Sequence, residues 1–276
     1  MRKVGLSGLI SKVVNKVEPY DQWGIIAKIR KKRQGKVPIA ENERLDSAPP
    51  VIMDWPINIK KPYVGLVLTE EGQWAYWPKF ERFLISNDIP YEAFDIKRSN
   101  FISECKKFDI IVWRTRPDYA SQWEATDKIE LMQDQMGKIV LPTKESLWMY
   151  EDKVRQQWLL EMNNLPTIKT FISYSLNEAL QFIKNCDYPF VSKNRTCSSS
   201  KGVHLIKNKR QARKLCYQIF NQGLTLPESY IKQKNYVYFQ EFVPNQGFDL
   251  RVIIVGNSYF GYYRLPRKGD YRASGS

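Results

Sequence analysis

The stretch YPFVSKNRTCSSSKGVHLIKN (Tyr188–Asn208) decides how the rest of the chain reads. Its apolar start, PFV, predicts a short buried strand, and VHLIKN (Val203–Asn208) predicts a second. Between them lies a polar loop of small residues. Lys193 ends the first strand and can project an ammonium onto a phosphate, while Ser198, Ser199, Ser200 and Gly202 leave backbone N–H groups to wrap phosphate oxygens. The loop is not a GxxxxGK[ST] nucleotide loop, which occurs nowhere in the chain, and there is no GxGxxG dinucleotide fingerprint.

Working outward, the pattern before this stretch alternates strand and helix. VGLVLT (Val64–Thr69), EAFDI (Glu92–Ile96), DIIVWRT (Asp109–Thr115) and KIVLPT (Lys138–Thr143) read as strands. The segments WAYWPKFERFLISN, SNFISECKKF and ATDKIELMQDQM between them read as helices. Strands separated by helices of this length predict a small parallel α/β domain over residues 62–150. SLWMYEDKVRQQWLLEMNN (Ser146–Asn164) reads as one helix opening the second half. After it come the strand TIKTFISY, the helix LNEALQFIKNC with capping chemistry at Ser175, and the basic helix KRQARKLCYQIFNQ. YVYFQEFV and DLRVIIVGNSYFGYYRLPR are rich in β signals, with Gly256–Asn257 as a hairpin turn. Residues 151–276 are therefore α+β in character. Residues 1–61 differ from both: IIAKIRKKRQGK (Ile25–Lys36) is a dense basic run and the remainder an irregular linker. A basic amphipathic stretch within residues 1–36 could lie on an anionic membrane, but packing or solvation is the favoured expectation.

Composition removes several chemistries. The four cysteines are scattered without CxxC spacing, as expected for a protein of the reducing cytosol. One histidine, His204, cannot assemble a histidine metal centre and reads as a strand residue. Cys197, in the small-residue loop, has no identifiable base partner and is not read as a nucleophile. No metal-ligand set is expected within the chain. The formal charge of +14 suggests an anionic partner without choosing among nucleotide, nucleic acid, acidic polymer and membrane surface, and a basic solvated surface accounts for it equally well.

Four features stand in the order that a nucleotide site needs: Lys153; Lys193 with its loop; Gln240-Glu241-Phe242-Val243 at a strand end; and Asp249-Leu250-Arg251 followed by Arg264, Arg267, Lys268 and Arg272. A strand end can read an adenine edge with its backbone, and arginine forks suit phosphate or carboxylate. Any one of these lysines, taken alone, is ordinarily a solvated surface residue; the order carries the reading.

That order resembles the ATP-grasp superfamily of carboxylate–amine ligases, over about residues 63–276. The resemblance implies an α/β domain preceding an ATP-grasp fold that is incomplete here. It implies an ATP-dependent carboxylate–amine (or thiol) ligase working through an acylphosphate. Lys153 and Lys193 then match the lysines that hold the phosphates, and Ser199, Ser200, Lys201 and Gly202 match the loop that closes over them. Gln240, Glu241, Phe242 and Val243 match the adenine-reading hinge, and Asp249 the acid that bonds the ribose. Arg272 matches the arginine beside the transferring phosphoryl group, which makes Arg272 and Lys193 the expected catalytic pair. The family's Mg²⁺ ligands lie beyond its RASGS-like segment, so the resemblance puts them past Ser276. The alternatives are a non-catalytic nucleotide-binding module or, well behind, a nucleic-acid or anionic-polymer binder. The carboxylate and amine substrates are not legible.

Overall fold

The computed structural model describes residues 49–68, 76–196, 202–225, 232–244 and 247–266. The basic N-terminal run, Ser199, Ser200, Lys201, Arg267, Lys268 and Arg272 lie outside the described residues, as do Trp74 and Ala75 of the aromatic segment. Contacts divide the chain into two units that meet in sequence between Tyr150 and Glu151.

In the first unit the apolar runs form β1 (Val64–Val67), β2 (Tyr91–Phe94), β3 (Ile110–Val112) and β4 (Ile139–Leu141). They pair in the order β2-β1-β3-β4, all parallel. The connections are α1 (Trp77–Ser86), α2 (Phe101–Lys106) and α3 (Tyr119–Glu130). Pro78 fits the first turn of α1, where its missing N–H costs nothing. α3 runs on into a π-helical turn, Leu131–Gln135, which the sequence pattern did not predict. The short α4 (Lys144–Met149) follows β4, capped by Thr143.

Alternation along the strands gives the sheet two faces. Val67, Ile111 and Val140 face α2 and α3, where Cys105, Ala125, Ile129 and Met132 close around the fully buried Phe108. Val64 faces the other way, against Leu84 of α1 and Ile89. On that second face the β4 side chains Ile139 and Leu141 stay 59% and 49% exposed.

The second unit opens with α5 (Lys153–Met162) and continues through β5 (Thr170–Ser173), α6 (Leu176–Asn185), β6 (Phe190–Lys193), β7 (Val203–Ile206) and α7 (Lys209–Asn221). Two short strands, β8 (Leu224–Thr225) and β9 (Lys232–Gln233), pair with each other before β10 (Val237–Glu241). β10 inserts between β5 and β6, giving an antiparallel sheet in the order β5-β10-β6-β7. One face is sealed by α6 and α7: Phe190, Ile206, Val237 and Phe239 pack with Ala179, Ile183, Ala212, Cys216 and Ile219. Ser175 caps α6 by accepting from the Glu178 N–H, as the sequence predicts. β11 (Asp249–Val255) and β12 (Ser258–Arg264) form a separate hairpin through Gly256 at φ 56°.

One expectation is corrected. Ser146–Asn164 is not a single helix; it breaks into α4 and α5. Glu151 takes a left-handed φ of 56°, and Asp152 turns its carboxylate onto the Arg155 N–H, which restarts the helix at Lys153. A carboxylate that caps a new N-terminus competes with continuation of the old helix.

Packing around Phe108 makes Gly65 of β1 irreplaceable by a larger residue. A Cβ added there would stand 2.4 Å from Phe108 Cδ2. Gly65→Ala is expected to lower stability by about 1–3 kcal/mol, read as a shift in the urea midpoint at constant slope.

Candidate functional site

The site is built on the face of the second sheet opposite α6 and α7. Register places Val191 and Lys193 of β6 on the same face as Tyr238 and Gln240 of β10 and Thr170 and Ile172 of β5. Part of this face is covered by α5, whose Val154 packs against Ile172, Tyr236 and Tyr238. α5 therefore brings Lys153, its first residue, to the edge of the surface that carries Lys193.

Four bonds fix that approach. The Lys153 N–H donates to the Arg195 carbonyl at 3.0 Å. The Asp152 carboxylate accepts from the Arg155 N–H at 3.0 Å and from Arg195 Nε at 2.5 Å. The Arg195 N–H in turn donates to the Tyr236 hydroxyl at 3.1 Å. The start of α5 is thus locked to the chain leaving β6. One residue earlier, the Asn194 N–H donates to the Gly202 carbonyl at 2.8 Å, which pinches the base of the small-residue loop.

Lys193 Nζ donates to Gln240 Oε1. The Gln240 amide is aimed there because its Nε2 donates to Thr170 Oγ1 at 2.8 Å and to the Tyr238 hydroxyl at 3.3 Å. A neutral amide supplies no countercharge. Burial lowers the Lys193 pKa from 10.5, and the nearby Lys153 ammonium lowers it further. Two cations held together on a partly dry surface form a site whose electrostatics an anion would relieve.

The structure brings Lys153, Lys193 and Gln240 together, with Gly202 at the loop base. It does not bring the Glu241 side chain to them: Glu241 pairs with Phe190 and so points to the opposite face. Its N–H is taken by the Lys169 carbonyl at 2.9 Å. Phe242 and the exposed Val243 follow directly after the strand. Asp249 lies on the separate hairpin, where its carboxylate forms a two-bond fork with Arg264 at 2.6 and 2.8 Å. Asp152, Thr170 and Arg195 were not singled out from sequence. Asp152 could have been, since an acidic residue just before a helical run is an N-cap signal; Thr170 and Arg195 leave none.

The residues present fit a polyphosphate, because two ammonium groups converge on one face beside the base of the small-residue loop. They do not fit a metal ion: among the described residues no group of three His, Cys, Asp or Glu could hold one.

Two stability measurements follow. Unfolding raises the Lys193 pKa back toward 10.5, so the charged lysine penalises folding at neutral pH, and the penalty fades as pH climbs through its lowered folded value toward 10.5. Lys193→Met should therefore raise the melting temperature of the ligand-free chain at pH 7, with the gain narrowing toward pH 10.5. Asp152→Ala removes both the cap and the carboxylate facing Arg195, and should cost about 2–4 kcal/mol by urea denaturation. Asp152→Asn, which keeps the capping oxygen, should fall between.

Comparison with known proteins agrees with this geometry. Residues 150–275 match the family model of the RimK-like ATP-grasp domain. The α-aminoadipate–LysW ligase LysX of Saccharolobus solfataricus is 31% identical over 134 residues, which are 48% of this chain. The match spans about half of that curated relative, 46% of its length. Among solved structures, a RimK domain ATP-grasp protein from Sphaerobacter thermophilus superposes with a TM-score of 0.50 at 15% identity, over 77% of this chain and 74% of the other. That likeness is one of fold. The stretch that resembles the RimK-like ATP-grasp domain is the one that holds both lysines.

Proposed function

We propose that this chain is an ATP-dependent carboxylate–amine (or thiol) ligase that works through an acylphosphate. The observation that carries the reading is the Lys153–Lys193 pair, held close by the Asp152–Arg195 clamp, with the Lys193 pKa lowered by burial and by the Lys153 charge. The family match and the ligase named in the related LysX support it.

In this reading the two ammonium groups hold the phosphates of ATP. Ser199, Ser200, Lys201 and Gly202 supply the covering loop, and Arg272 stands beside the transferring phosphoryl group. Gln240 keeps Lys193 Nζ aimed across the sheet face, and the backbone of Glu241, Phe242 and Val243 reads the adenine edge. Asp249 bonds the ribose through carboxylate lone pairs that its fork with Arg264 leaves over. A substrate carboxylate oxygen attacks the γ-phosphorus, the bond to the β-phosphate oxygen breaks, and ADP leaves. An amine then attacks the acyl carbon, inorganic phosphate departs and the nitrogen loses a proton. The chain's share is positioning and charge stabilisation, with no covalent protein intermediate. Mg²⁺ would neutralise phosphate charge in such a transfer, and among the described residues no group of three His, Cys, Asp or Glu could hold it.

Calorimetric titration of ATP tests the reading. Saturable binding is expected, weakened roughly tenfold or more by Lys193→Ala and by Lys153→Ala, since a charged hydrogen bond contributes about 1.5–3 kcal/mol. ADP release should depend on an added carboxylate, and hydroxylamine in place of the amine should trap a hydroxamate. ATP binding that is absent, or untouched by both substitutions, would sink the proposal.

A further inference from the structure

The first unit contains a chamber that the nucleotide reading does not use. It has a volume of about 570 Å³, within the range of small-molecule sites. Its floor is the less covered face of the parallel sheet, with Val64, Ile110 and Val112; Phe83, Leu84 and Trp55 wall it. Sheet topology explains the opening. Of the three connecting helices, α2 and α3 pack on the far face and α1 on this one, against Val64 beside β2. The β3–β4 half is left with Ile139 and Leu141 exposed.

Polar side chains enter the described lining of the chamber from the chain that follows β3 and β4, with Arg114, Thr115, Ser146 and Tyr150. The Arg114 guanidinium lies 4.8 Å from the centre of the Tyr76 ring, and Lys79 Nζ lies 4.7 Å from the same ring. An Arg114 Nη1 bond to the Thr115 carbonyl holds the fork at the strand end. Tyr76 is also the residue at the N-terminus of α1, so the positive end of that helix adds to the same field. The strand order reverses between β1 and β3, and the carboxyl ends flanking such a reversal form the crevice where open parallel sheets bind ligands.

We propose that this chamber is a binding site for a small monocarboxylate with an apolar body, of medium-chain or aryl type. The body lies on the sheet face between Trp55 and α1, and the carboxylate meets the Arg114 fork. Charge complementarity decides the orientation: a planar guanidinium suits a carboxylate bidentately, and the rest of the lining offers hydrocarbon. Every lining residue lies between Met53 and Tyr150, so the proposal stands apart from the ATP reading and survives its failure.

Octanoate and 1-octanol, equal in chain length and different in charge, are the probes. In calorimetric titration of the full chain, octanoate should saturate one site. Arg114→Gln should weaken it at least tenfold while leaving 1-octanol unchanged. Val112→Phe, which fills the floor, should abolish both; Ser146→Trp at the rim does the same job if the floor variant does not fold by circular dichroism. Lack of saturation by octanoate in the full chain overturns the proposal, whether the chamber is shut or covered by another part of the chain. So does octanoate binding that ignores Arg114, or that persists undiminished in the filled variant.

Discussion

Two like charges brought close on a partly buried surface repel, and a fold that holds them so must hold them from outside. Here the holding is done by Asp152. One oxygen of its carboxylate starts the new helix at the Arg155 N–H, and the other reaches Arg195 in the turn just after the strand that carries Lys193. The Lys153 N–H completes the join through the Arg195 carbonyl. Remove that join and the two ammonium groups are free to separate. In the proposed function, phosphate binding at this surface depends on denying them that freedom.

The sheet beneath separates its tasks by parity. Odd and even residues of β6 and β10 face different worlds: Phe190, Val237 and Phe239 anchor α6 and α7, while Lys193 and Gln240 face the site. The aromatic side is tightly packed, with Phe171 and Phe182 stacked at 4.1 Å and Phe190 and Phe239 at 4.7 Å between centroids. Such packing lets β10, contributed late in the sequence, sit centrally between two earlier strands. It also keeps the strand rigid enough for Gln240 to aim at Lys193 by way of Thr170.

Strand and helix alternation in the first unit was legible because each apolar run is short, bounded and followed by a helical period. The lysine-ended strand β6 was legible for the same reason. What escaped notice depended on single side chains acting across distance. Nothing local announces that Glu151 takes a left-handed turn, so one continuous helical pattern concealed a break. The insertion of β10 between β5 and β6 is a choice among pairings that periodicity does not rank. Glu241 was grouped with Gln240 because they are neighbours in sequence, whereas alternation sends their side chains to opposite faces. Thr170 and Arg195 matter only through bonds to residues far along the chain, at Gln240 and Asp152.

The pinch between Asn194 and Gly202 has a consequence for how the connection it closes can evolve. Bringing the ends of a loop together is an entropic charge that grows only with the logarithm of length, about 0.6 kcal/mol per doubling. Here the sheet bears it already, through a backbone bond that involves no side chain of the loop. Residues 197–201 can therefore be exchanged, added or removed without disturbing β6, β7 or the Asp152–Arg195 clamp. Variation in length and sequence can be confined to that stretch, as a module that drifts while its frame stays fixed.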